Sequence, residues 1–356
     1  MSLFNSTMLR SLVVGAAVAA AATAAVVMAP VAQAADITGA GASFPYPIYS
    51  KWAATYKEKS GVGLNYQSIG SSGGVKQIKS KTVVFGASDR PLKAEELAEA
   101  GLTQFPAVMG GVVPIVNVKG IKSGDLIMDG TLLSDIFLGK ITKWDDKKIK
   151  ALNPGAALPA TRITVVHRAD GSGTSFYFTD YLAKVNSEWR EAVGAGNTVE
   201  WPTGIGAKGN EGVAGIAAQT DGAIGYVEFA YAKQNKLAYT KLVNKSGATV
   251  TPSTEAFSAA ADGADWSGTP GFAVILTNQA GAAAWPITGA SFVMVYKKPS
   301  DPAALREVLK FYDWSFSNGG KIADELDYVP LPAKLVELIK ASWKANISDA
   351  AGQPLL

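Results

Sequence analysis

Residues 162–185 read RITVVHRADGSGTSFYFTDYLAKV, and this stretch contains a predicted strand, a polar loop and a helix in that order. The apolar run at its start indicates the strand, and the Gly/Ser loop after it indicates a turn. Apolar residues then recur on one side of a helix, at Phe178, Tyr181, Leu182 and Val185. Similar segments recur along the chain, and this alternation predicts the α/β class.

Three polar, glycine-containing loops each follow a predicted strand and precede a predicted helix, at residues 68–74, 87–90 and 168–174. In open α/β sheets, ligands bind at the carboxyl ends of the strands. Helix N-termini offer unpaired N–H groups and the positive end of the helix dipole, so they bind anions. A fourth candidate is GAGASFPYPI, in which Ser43 and Phe44 precede a helix.

The first 34 residues predict a cleavable signal peptide. Arg10 supplies positive charge, an Ala/Val-rich run follows to Met28, and Ala32-Gln33-Ala34 forms a small-x-small cleavage site. A retained membrane anchor is the alternative, but alanine is a weak membrane residue. The chain has no cysteine, which excludes disulfides and a lipid-modified cysteine. We therefore expect an exported periplasmic protein without stable membrane insertion.

The charge balance predicts neither a nucleic-acid partner nor a membrane-surface partner. The 356 residues include 33 Lys and Arg against 30 Asp and Glu, and one of these bases, Arg10, lies in the leader. Such a weak overall field leaves local geometry to hold any bound anion. We expect the protein to be a monomer.

GSSGG at residues 70–74 matches the nucleophile elbow of serine hydrolases. Ser72 would be the nucleophile, with Asp89 and the single histidine, His167, as its partners. Short Gly/Ser patterns often arise by chance, and His167 directly precedes an arginine. A secreted serine phosphatase or esterase that uses Ser72 or Ser172 is therefore kept as an alternative function.

GIGAKG at residues 204–209 matches the dinucleotide-binding fingerprint. Pro202 interrupts the stretch before it, and no convincing helix starts where the fingerprint requires one. We therefore predict a loop and no nucleotide cofactor. One histidine and no cysteine also disfavour a transition-metal site, which leaves open only carboxylate-based calcium or magnesium. We expect no metal and no other cofactor.

Residues at two predicted helix starts are suited to hold an oxyanion. Backbone N–H groups and hydroxyls give short hydrogen bonds in fixed directions, and glycine lets the backbone approach closely. The residues are Ser71 and Ser72 at one helix, and Ser172, Gly173 and Thr174 at the other.

Arg168 and Asp89 add opposite charges to this group. Arg168 can form a bidentate, charge-assisted pair with two oxygens of an anion. An ionised Asp89 repels an anion but accepts a hydrogen bond from a protonated oxygen, so it favours a ligand with a P–OH over sulfate. Asp170 either orients Arg168 through a salt bridge or serves only as a turn residue.

Each of these residues also has a purely structural interpretation. Ser71, Ser72 and Ser172 are typical helix N-caps, and Asp89 would suit as the cap of a helix that begins at Pro91. Taken singly, the structural interpretations are the more frequent. Three strand-to-helix loops with complementary chemistry together favour a binding site.

Six motifs in order resemble one known family: GAGASFPYPIYSKWA, GSSGGVKQI, FGASDRPL, RADGSGTSF, GAIGYVEFAYAKQNKLAY and LDYVPLP. The chain resembles the periplasmic phosphate-binding proteins of bacterial high-affinity phosphate ABC transporters, the PstS family. The resemblance implies a type II periplasmic-binding-protein fold with phosphate in a cleft between two α/β lobes. It also implies a non-enzymatic protein that delivers phosphate to the permease and ATPase complex of the importer. Binding of another tetrahedral oxyanion, sulfate or arsenate, is kept as an alternative.

Carried over motif by motif, the resemblance implies phosphate contacts from both lobes. In the first three motifs they are Ser43, the backbone N–H of Phe44, Ser71, and Asp89 as acceptor. In RADGSGTSF they are Arg168, Ser172, Gly173 and Thr174, with Asp170 bracing Arg168 and Ser72 as a supporting residue. Ser43 stands where threonine is common in the family. His167 and Arg90 flank binding residues, and we expect both to be peripheral.

The implied lobes agree with the length of the chain, which favours two domains over one. The first lobe would comprise residues 35–117 and 293–356, and the second lobe residues 118–292. GGVVPIVNV and SFVMVYKK would then be the crossover strands.

Overall fold

A sixteen-residue strand, Leu102–Asn117, lies near the centre of the main sheet and changes partners along its length. The computed structural model describes residues 36–356, and the predicted signal peptide at residues 1–34 lies outside them. The first part of this strand pairs antiparallel with Thr288–Tyr296, and its last part pairs antiparallel with Ala223–Glu228. Across the described residues, no helix is both long and apolar enough to cross a bilayer.

The strands, in chain order, are β1 Ile37–Gly41, β2 Leu64–Ser68, β3 Phe85–Ser88, β4 Leu102–Asn117, β5 Ile127–Met128, β6 Thr164–Arg168, β7 Ile205–Ala207, β8 Ala223–Glu228, β9 Ala238–Tyr239, β10 Lys241–Val243, β11 Thr249–Val250 and β12 Thr288–Tyr296. The helices are α1 Tyr46–Ser60, α2 Ser71–Lys79, α3 Ala94–Ala100, α4 Gly130–Phe137, α5 Lys147–Leu152, α6 Gly173–Val185, α7 Ser187–Ala192, α8 Gly209–Gln219, α9 Phe229–Gln234, α10 Thr254–Ala261, α11 Pro302–Asn318, α12 Gly320–Glu325 and α13 Ala333–Asn346. A short 3-10 helix spans Pro270–Phe272.

Two groups of parallel strands lie on either side of β12 and β4 in the main sheet. The strand order is β2-β1-β3-β12-β4-β8-β6-β7, with β9 also paired to β4, and a second sheet has the order β11-β10-β5. In the first parallel group β1 pairs with β2 and β3, and in the second β6 pairs with β7 and β8. Within each group the carboxyl ends of the strands lie at the same edge. The predicted α/β class is confirmed.

Several local predictions are confirmed because short-range signals set them. Helix α1 buries Ile48, Trp52 and Tyr56, which recur every four residues, and it ends at Gly61 with a left-handed φ of 74°. Helix α11 begins at Pro302, and its N-cap Asp301 accepts a hydrogen bond from the Ala304 N–H at 3.0 Å.

Two predicted element boundaries are wrong. Helix α3 begins at Ala94 instead of Pro91, because the side chain of Gln104 binds the N–H and carbonyl of Leu92 and holds that segment outside the helix. The apolar run GAIGYVEFAYA, at residues 222–232, predicts one strand, but strand β8 ends early, at Glu228. The Glu228 carboxyl accepts from the Ala230 N–H and starts helix α9 there.

The prediction of a loop at GIGAKG is also wrong. Residues Ile205–Ala207 form β7, and helix α8 begins directly afterwards at Gly209. Gly209 adopts a left-handed φ of 71°, which lets the chain turn sharply into the helix. The α8 sequence GNEGVAGIAAQ is rich in glycine and therefore a weak helix former, so tertiary packing of Val213, Ala214 and Ala217 determines the helix.

Helix α2 lies directly against the backbone of β1 and β3 at Gly74. A Cβ atom on Gly74 would lie 2.5 Å from the Ala87 carbonyl oxygen and 2.6 Å from the Gly41 Cα. Both neighbours are backbone atoms of the sheet and cannot move aside. This close approach fixes the height of α2 above the sheet, and with it the position of Ser71 at the start of the helix.

We expect Gly74→Ala to lower the free energy of unfolding by about 1–3 kcal/mol, because the added methyl group displaces α2 from the sheet. Gly73→Ala is the matched control. Its Cβ would meet only the side chain of Ile69, at 3.0 Å, and Ile69 is 40% exposed and free to shift. Urea unfolding followed by circular dichroism measures both variants. Equal stability of the two would contradict this account of the α2 contact.

Candidate functional site

The residues predicted to bind an anion come from both parallel groups, and the structure brings them together. Ser43, Ser71 and Asp89 follow strands of the first group and are each 1% exposed. Arg168, Ser172 and Thr174 follow β6 of the second group and are equally buried. Because direct hydrogen bonds join the two sets, these residues form one site.

Ser71 forms the most direct link between the two groups. Its hydroxyl oxygen accepts from the Gly173 N–H at 3.0 Å and from the Asp89 N–H at 3.2 Å. A Cβ atom on Gly173 would lie 2.6 Å from the Ser71 oxygen and 2.5 Å from the Asp89 Cβ, so the contact requires glycine. The Gly173 N–H, predicted to face the anion, is directed to Ser71 here.

Asp89 is buried, and its carboxyl group forms no salt bridge with another described residue. Its Oδ1 accepts from the Ser291 hydroxyl at 2.9 Å, and Tyr177 donates to its backbone carbonyl at 2.6 Å. Burial raises the pKa of Asp89 to about 7, although the hydrogen bond from Ser291 and the charge of Arg168 oppose the shift. The carboxyl therefore exchanges its proton near neutral pH, whereas the sequence argument assumed an ionised group.

Arg168 is paired with Asp170 on one side of its guanidinium. Nε donates to Oδ1 at 2.7 Å and Nη2 donates to Oδ2 at 2.5 Å, so the two side chains form a bidentate salt bridge. The side chain of Arg168 is 1% exposed. Its remaining nitrogen, Nη1, is buried and has no hydrogen-bond partner within residues 36–356. A buried guanidinium N–H without an acceptor is costly, so this atom is an open donor for an anion.

Asp170 is held from several directions, which in turn fixes Arg168. Besides the guanidinium, the Gly209 N–H donates to Asp170 Oδ1 at 3.1 Å. Burial acts to raise the pKa of Asp170, but the hydrogen bonds and charge of Arg168 outweigh it and hold the pKa below its usual value. Asp170 is therefore ionised and balances the charge of Arg168.

The structural interpretation of Ser71, Ser72, Ser172 and Asp89 as helix N-caps holds for Ser172 and is wrong for the other three. Ser172 is the N-cap of α6, and its hydroxyl accepts from the Ser175 N–H at 3.0 Å. Ser71 and Ser72 are the first residues of α2, whose N-cap is Gly70, so neither is the cap. Asp89 caps no helix, because the N-cap of α3 is Lys93.

Ser43 and Phe44 lie in the turn between β1 and α1, and their carbonyls are fixed by two tyrosines. Tyr231 donates to the Ser43 carbonyl at 2.7 Å, and Tyr328 donates to the Phe44 carbonyl at 2.6 Å. The Ser43 hydroxyl oxygen accepts from the backbone N–H of Asn210 at 3.1 Å and from its side-chain amide at 2.9 Å. The turn is thereby tied to α8 and α9.

Sequence reasoning missed several polar residues that complete the site. They are Tyr177, Asn210, Glu228 and Ser291. Asn210 follows the GIGAKG pattern and was overlooked with the helix that begins there. The strand that carries Ser291 was predicted, but a serine within an apolar strand gives no sign of the carboxyl it faces.

Glu228 adds a second buried carboxyl next to the Phe44 turn. Its Oε2 lies 2.8 Å from the Tyr328 hydroxyl, which has a single proton and is also 2.6 Å from the Phe44 carbonyl. Burial raises the pKa of Glu228 well above its usual value. A protonated Glu228 can donate to Tyr328 while Tyr328 donates to Phe44, so every partner in this chain is satisfied.

The three residues of the hydrolase alternative do not form a triad. The Ser72 hydroxyl accepts from the Asn197 amide at 3.2 Å, and Asp89 is bound to Ser291. The half-buried His167 ring stacks on Trp201, and its Nδ1 lies 3.1 Å from the Arg168 carbonyl. No hydrogen bond between described residues connects His167 to either of the other two.

Arg90 lies at the margin of the site. Its guanidinium forms a salt bridge with Glu96 at 3.2 Å, and both side chains are about one third exposed. An exposed pair of this kind contributes little to stability or to the local field.

The chemistry of the site is that of an anion acceptor with one proton-dependent group. Hydroxyls, backbone N–H groups and Arg168 Nη1 supply donors, and Asp89 supplies an acceptor whose protonation changes near neutral pH. The site combines many donors with one acceptor among buried side chains where the two strand groups meet. An oxyanion with one protonated oxygen fits this combination of groups.

Known proteins resemble this chain over nearly its whole length. A family model described as "PBP superfamily domain" matches residues 20–318. The Phosphate-binding protein PstS of Pasteurella multocida is 54% identical over 91% of this chain and 94% of its own length. The protein of the same name from Haemophilus influenzae is 55% identical over 90% of this chain and 96% of its own length.

Solved structures show the same fold at much lower identity. A high-affinity periplasmic phosphate-binding protein, solved with bound phosphate, superposes with a TM-score of 0.71 over 90% of this chain and 96% of its own, at 21% identity. A phosphate-binding protein from Stenotrophomonas maltophilia gives a TM-score of 0.65 over 86% of this chain and 93% of its own, at 20% identity. The predicted periplasmic-binding-protein fold is thus confirmed, and the chain belongs to the PBP superfamily and, within it, to the PstS family of phosphate-binding proteins.

Proposed function

We propose that this protein binds inorganic phosphate between its two lobes in the periplasm and delivers it to the permease and ATPase complex of an ABC importer, without catalysing a reaction. The observation that carries the proposal is the buried Arg168 Nη1, a cationic donor without a hydrogen-bond partner among the described residues. The names of the PstS relatives agree with phosphate as the ligand.

The proposed ligand contacts are those implied by the motifs: Ser43, Phe44, Ser71, Asp89, Arg168, Ser172, Gly173 and Thr174. The first four belong to the first lobe, residues 35–117 and 293–356, and the others to the second lobe, residues 118–292. Because Ser71 now accepts from the Gly173 N–H, an anion between the lobes replaces this bond with bonds to its own oxygens. A ligand bound from both sides favours the closed form, which the importer then recognises.

The proposed absence of catalysis has a physical basis. A serine nucleophile needs a base within hydrogen-bond reach. Neither Ser72 nor Ser172 has one, because Ser72 is bound to Asn197 and Ser172 caps α6. Turnover of a chromogenic phosphate or carboxylate ester that disappears in Ser72→Ala or Ser172→Ala would overturn this part of the proposal.

We expect Arg168→Ala to weaken phosphate binding by roughly 2–5 kcal/mol, because it removes a buried donor and leaves Asp170 unpaired. Equilibrium dialysis with labelled phosphate on the ligand-stripped protein measures the change. Arg190→Ala is the control, since Arg190 is an exposed residue of α7. An Arg168→Ala variant that folds and binds phosphate as tightly as the wild type would refute the site.

We expect discrimination between phosphate and sulfate to depend on Asp89 and on pH. The ionised carboxyl accepts from a P–OH and repels sulfate, whereas the protonated carboxyl donates and tolerates sulfate. Burial raises the pKa of Asp89 to about 7, so sulfate should compete better as pH falls below that value. Asp89→Asn should bind sulfate more tightly than the wild type above that pKa, where the wild-type carboxyl is ionised, and should lose this dependence on pH.

Competition dialysis of phosphate against sulfate from about pH 5 to about pH 9 covers both protonation states of a carboxyl with a pKa near 7. Ser291→Ala is a useful companion, because it removes the hydrogen bond to Oδ1 and retains the carboxyl. Sulfate exclusion that is the same in Asp89→Asn and in the wild type would rule out the proton-acceptor role.

Asp89 should also make the stability of the ligand-free protein depend on pH. An unfolded Asp titrates near about 3.9, and the folded group titrates near 7, so the folded state holds the extra proton between these values. The free energy of unfolding therefore falls as pH rises through this window, by at most about 1.4 kcal/mol per pH unit, and then becomes constant.

We expect the stability difference between Asp89→Asn and the wild type to increase in favour of the variant across the same window. Urea unfolding at a series of pH values gives this difference and cancels the contribution of other groups, such as Glu228. Asp221→Asn, at an exposed carboxylate, is the control. A difference that does not change with pH would show that Asp89 titrates normally.

A further inference from the structure

Asn210, at the start of α8, connects three separate parts of the site. It is fully buried, at 0% exposure. Its amide nitrogen donates to the Ser43 hydroxyl oxygen at 2.9 Å and to the Thr174 hydroxyl oxygen at 3.1 Å. Its amide oxygen accepts from the Glu228 N–H at 3.0 Å. One side chain therefore contacts the ends of β1 and β8 and the first turn of α6.

The orientation of this amide is fixed by the backbone. The Glu228 N–H can only donate, so the atom of Asn210 that faces it must be the oxygen. The atom that faces the two hydroxyls is then the NH₂ group, and both of its hydrogens are used. A flipped amide would place NH₂ against N–H and lose these bonds, so only one orientation fits.

This orientation determines the direction of the hydroxyl hydrogen bonds. The Ser43 oxygen accepts from both the backbone N–H and the side-chain NH₂ of Asn210, which fills its two lone pairs. Thr174 accepts one bond from the same group, which leaves its oxygen one further lone pair. The Ser43 hydroxyl can therefore only donate, and Thr174 still offers its proton. The Ser71 oxygen also accepts two bonds, from Asp89 and Gly173, and its own proton is directed to Asp89 Oδ2 at 3.5 Å.

We propose that Asn210 is a positioning residue that makes Ser43 an obligate hydrogen-bond donor to the bound anion and directs the proton of Thr174 toward the same anion. The inference rests on the proposed function and adds a residue that acts through its neighbours. A hydroxyl that is free to rotate can donate to a ligand oxygen or accept from it, so it does not distinguish an unprotonated oxygen from a protonated one. Hydroxyls directed to donate favour unprotonated oxygens, which leaves the protonated oxygen of the ligand for Asp89.

The test is a double-mutant cycle on phosphate affinity. We expect Asn210→Ala to weaken phosphate binding roughly tenfold or more in the wild-type background, because the hydroxyls lose their orientation. In a Ser43→Ala/Thr174→Val background there is no hydroxyl left to orient. The same substitution should then weaken binding less than about threefold.

Two further variants separate positioning from simple structural support. Asn210→Asp conserves the size of the side chain. Its ionised carboxylate accepts hydrogen bonds from the two hydroxyls and turns their protons away from the anion. The part of the loss in phosphate affinity that depends on the hydroxyls should therefore be larger for Asn210→Asp than for Asn210→Ala. Asn244→Ala is the matched control. Asn244 is a buried asparagine that donates to the carbonyls of Gly281, Ala282 and Ala284 and forms no hydrogen bond to a site residue in the described part of the chain. Its substitution should therefore lower stability and leave phosphate affinity unchanged.

Each outcome decides a different claim. A large loss that disappears without the two hydroxyls supports the positioning role. An equal loss in both backgrounds, for Asn210→Ala or for Asn210→Asp, overturns it and leaves Asn210 as a structural residue. If the wild-type protein does not bind phosphate, the proposed function fails and the inference fails with it.

Discussion

The buried pair of Arg168 and Asp170 is the interaction on which the rest of the site depends. A guanidinium that is 1% exposed is tolerated only if its charge and its N–H groups are balanced. Asp170 balances the charge and binds two nitrogens, while the Gly209 N–H holds Asp170 in turn. The geometry of the pair then leaves one buried donor, Nη1, without an acceptor among the residues that the structure describes. A hydrogen-bond donor for an anion is thereby fixed at one point, although the chain as a whole is almost neutral.

Selectivity requires more than a positive charge, and we propose that here it comes from the direction of hydrogen bonds. The oxygens of Ser43 and Ser71 already accept two hydrogen bonds each, so these hydroxyls act only as donors. Asp89 is the exception, since burial raises its pKa to about 7. A ligand that carries one proton among several unprotonated oxygens matches this arrangement. The same burial that makes the acceptor responsive to pH also makes the ligand-free carboxyl costly to ionise.

The sequence alone predicted the structure correctly wherever short-range signals or long motifs determine it. Asp301 before Pro302 predicts a helix start, and the alternation around Arg168 predicts a strand, a loop and a helix; both are confirmed. Asn210 and Ser291 could not be found in this way, because they contact residues more than 160 positions away in the chain. Helix α8 was not predicted from the sequence; its glycines lower its intrinsic propensity, and packing stabilises it. The pKa of Asp89 depends on burial, which local sequence does not reveal.

The central claim is that these groups form a receptor for a protonated tetrahedral anion. Isothermal titration calorimetry of the ligand-stripped wild-type protein, with phosphate and then with sulfate at equal ionic strength and slightly alkaline pH, tests it most directly. The account predicts tight one-to-one binding of phosphate and no measurable heat from sulfate. Comparable binding of both anions would contradict the role of Asp89, and no binding of either would contradict the receptor itself.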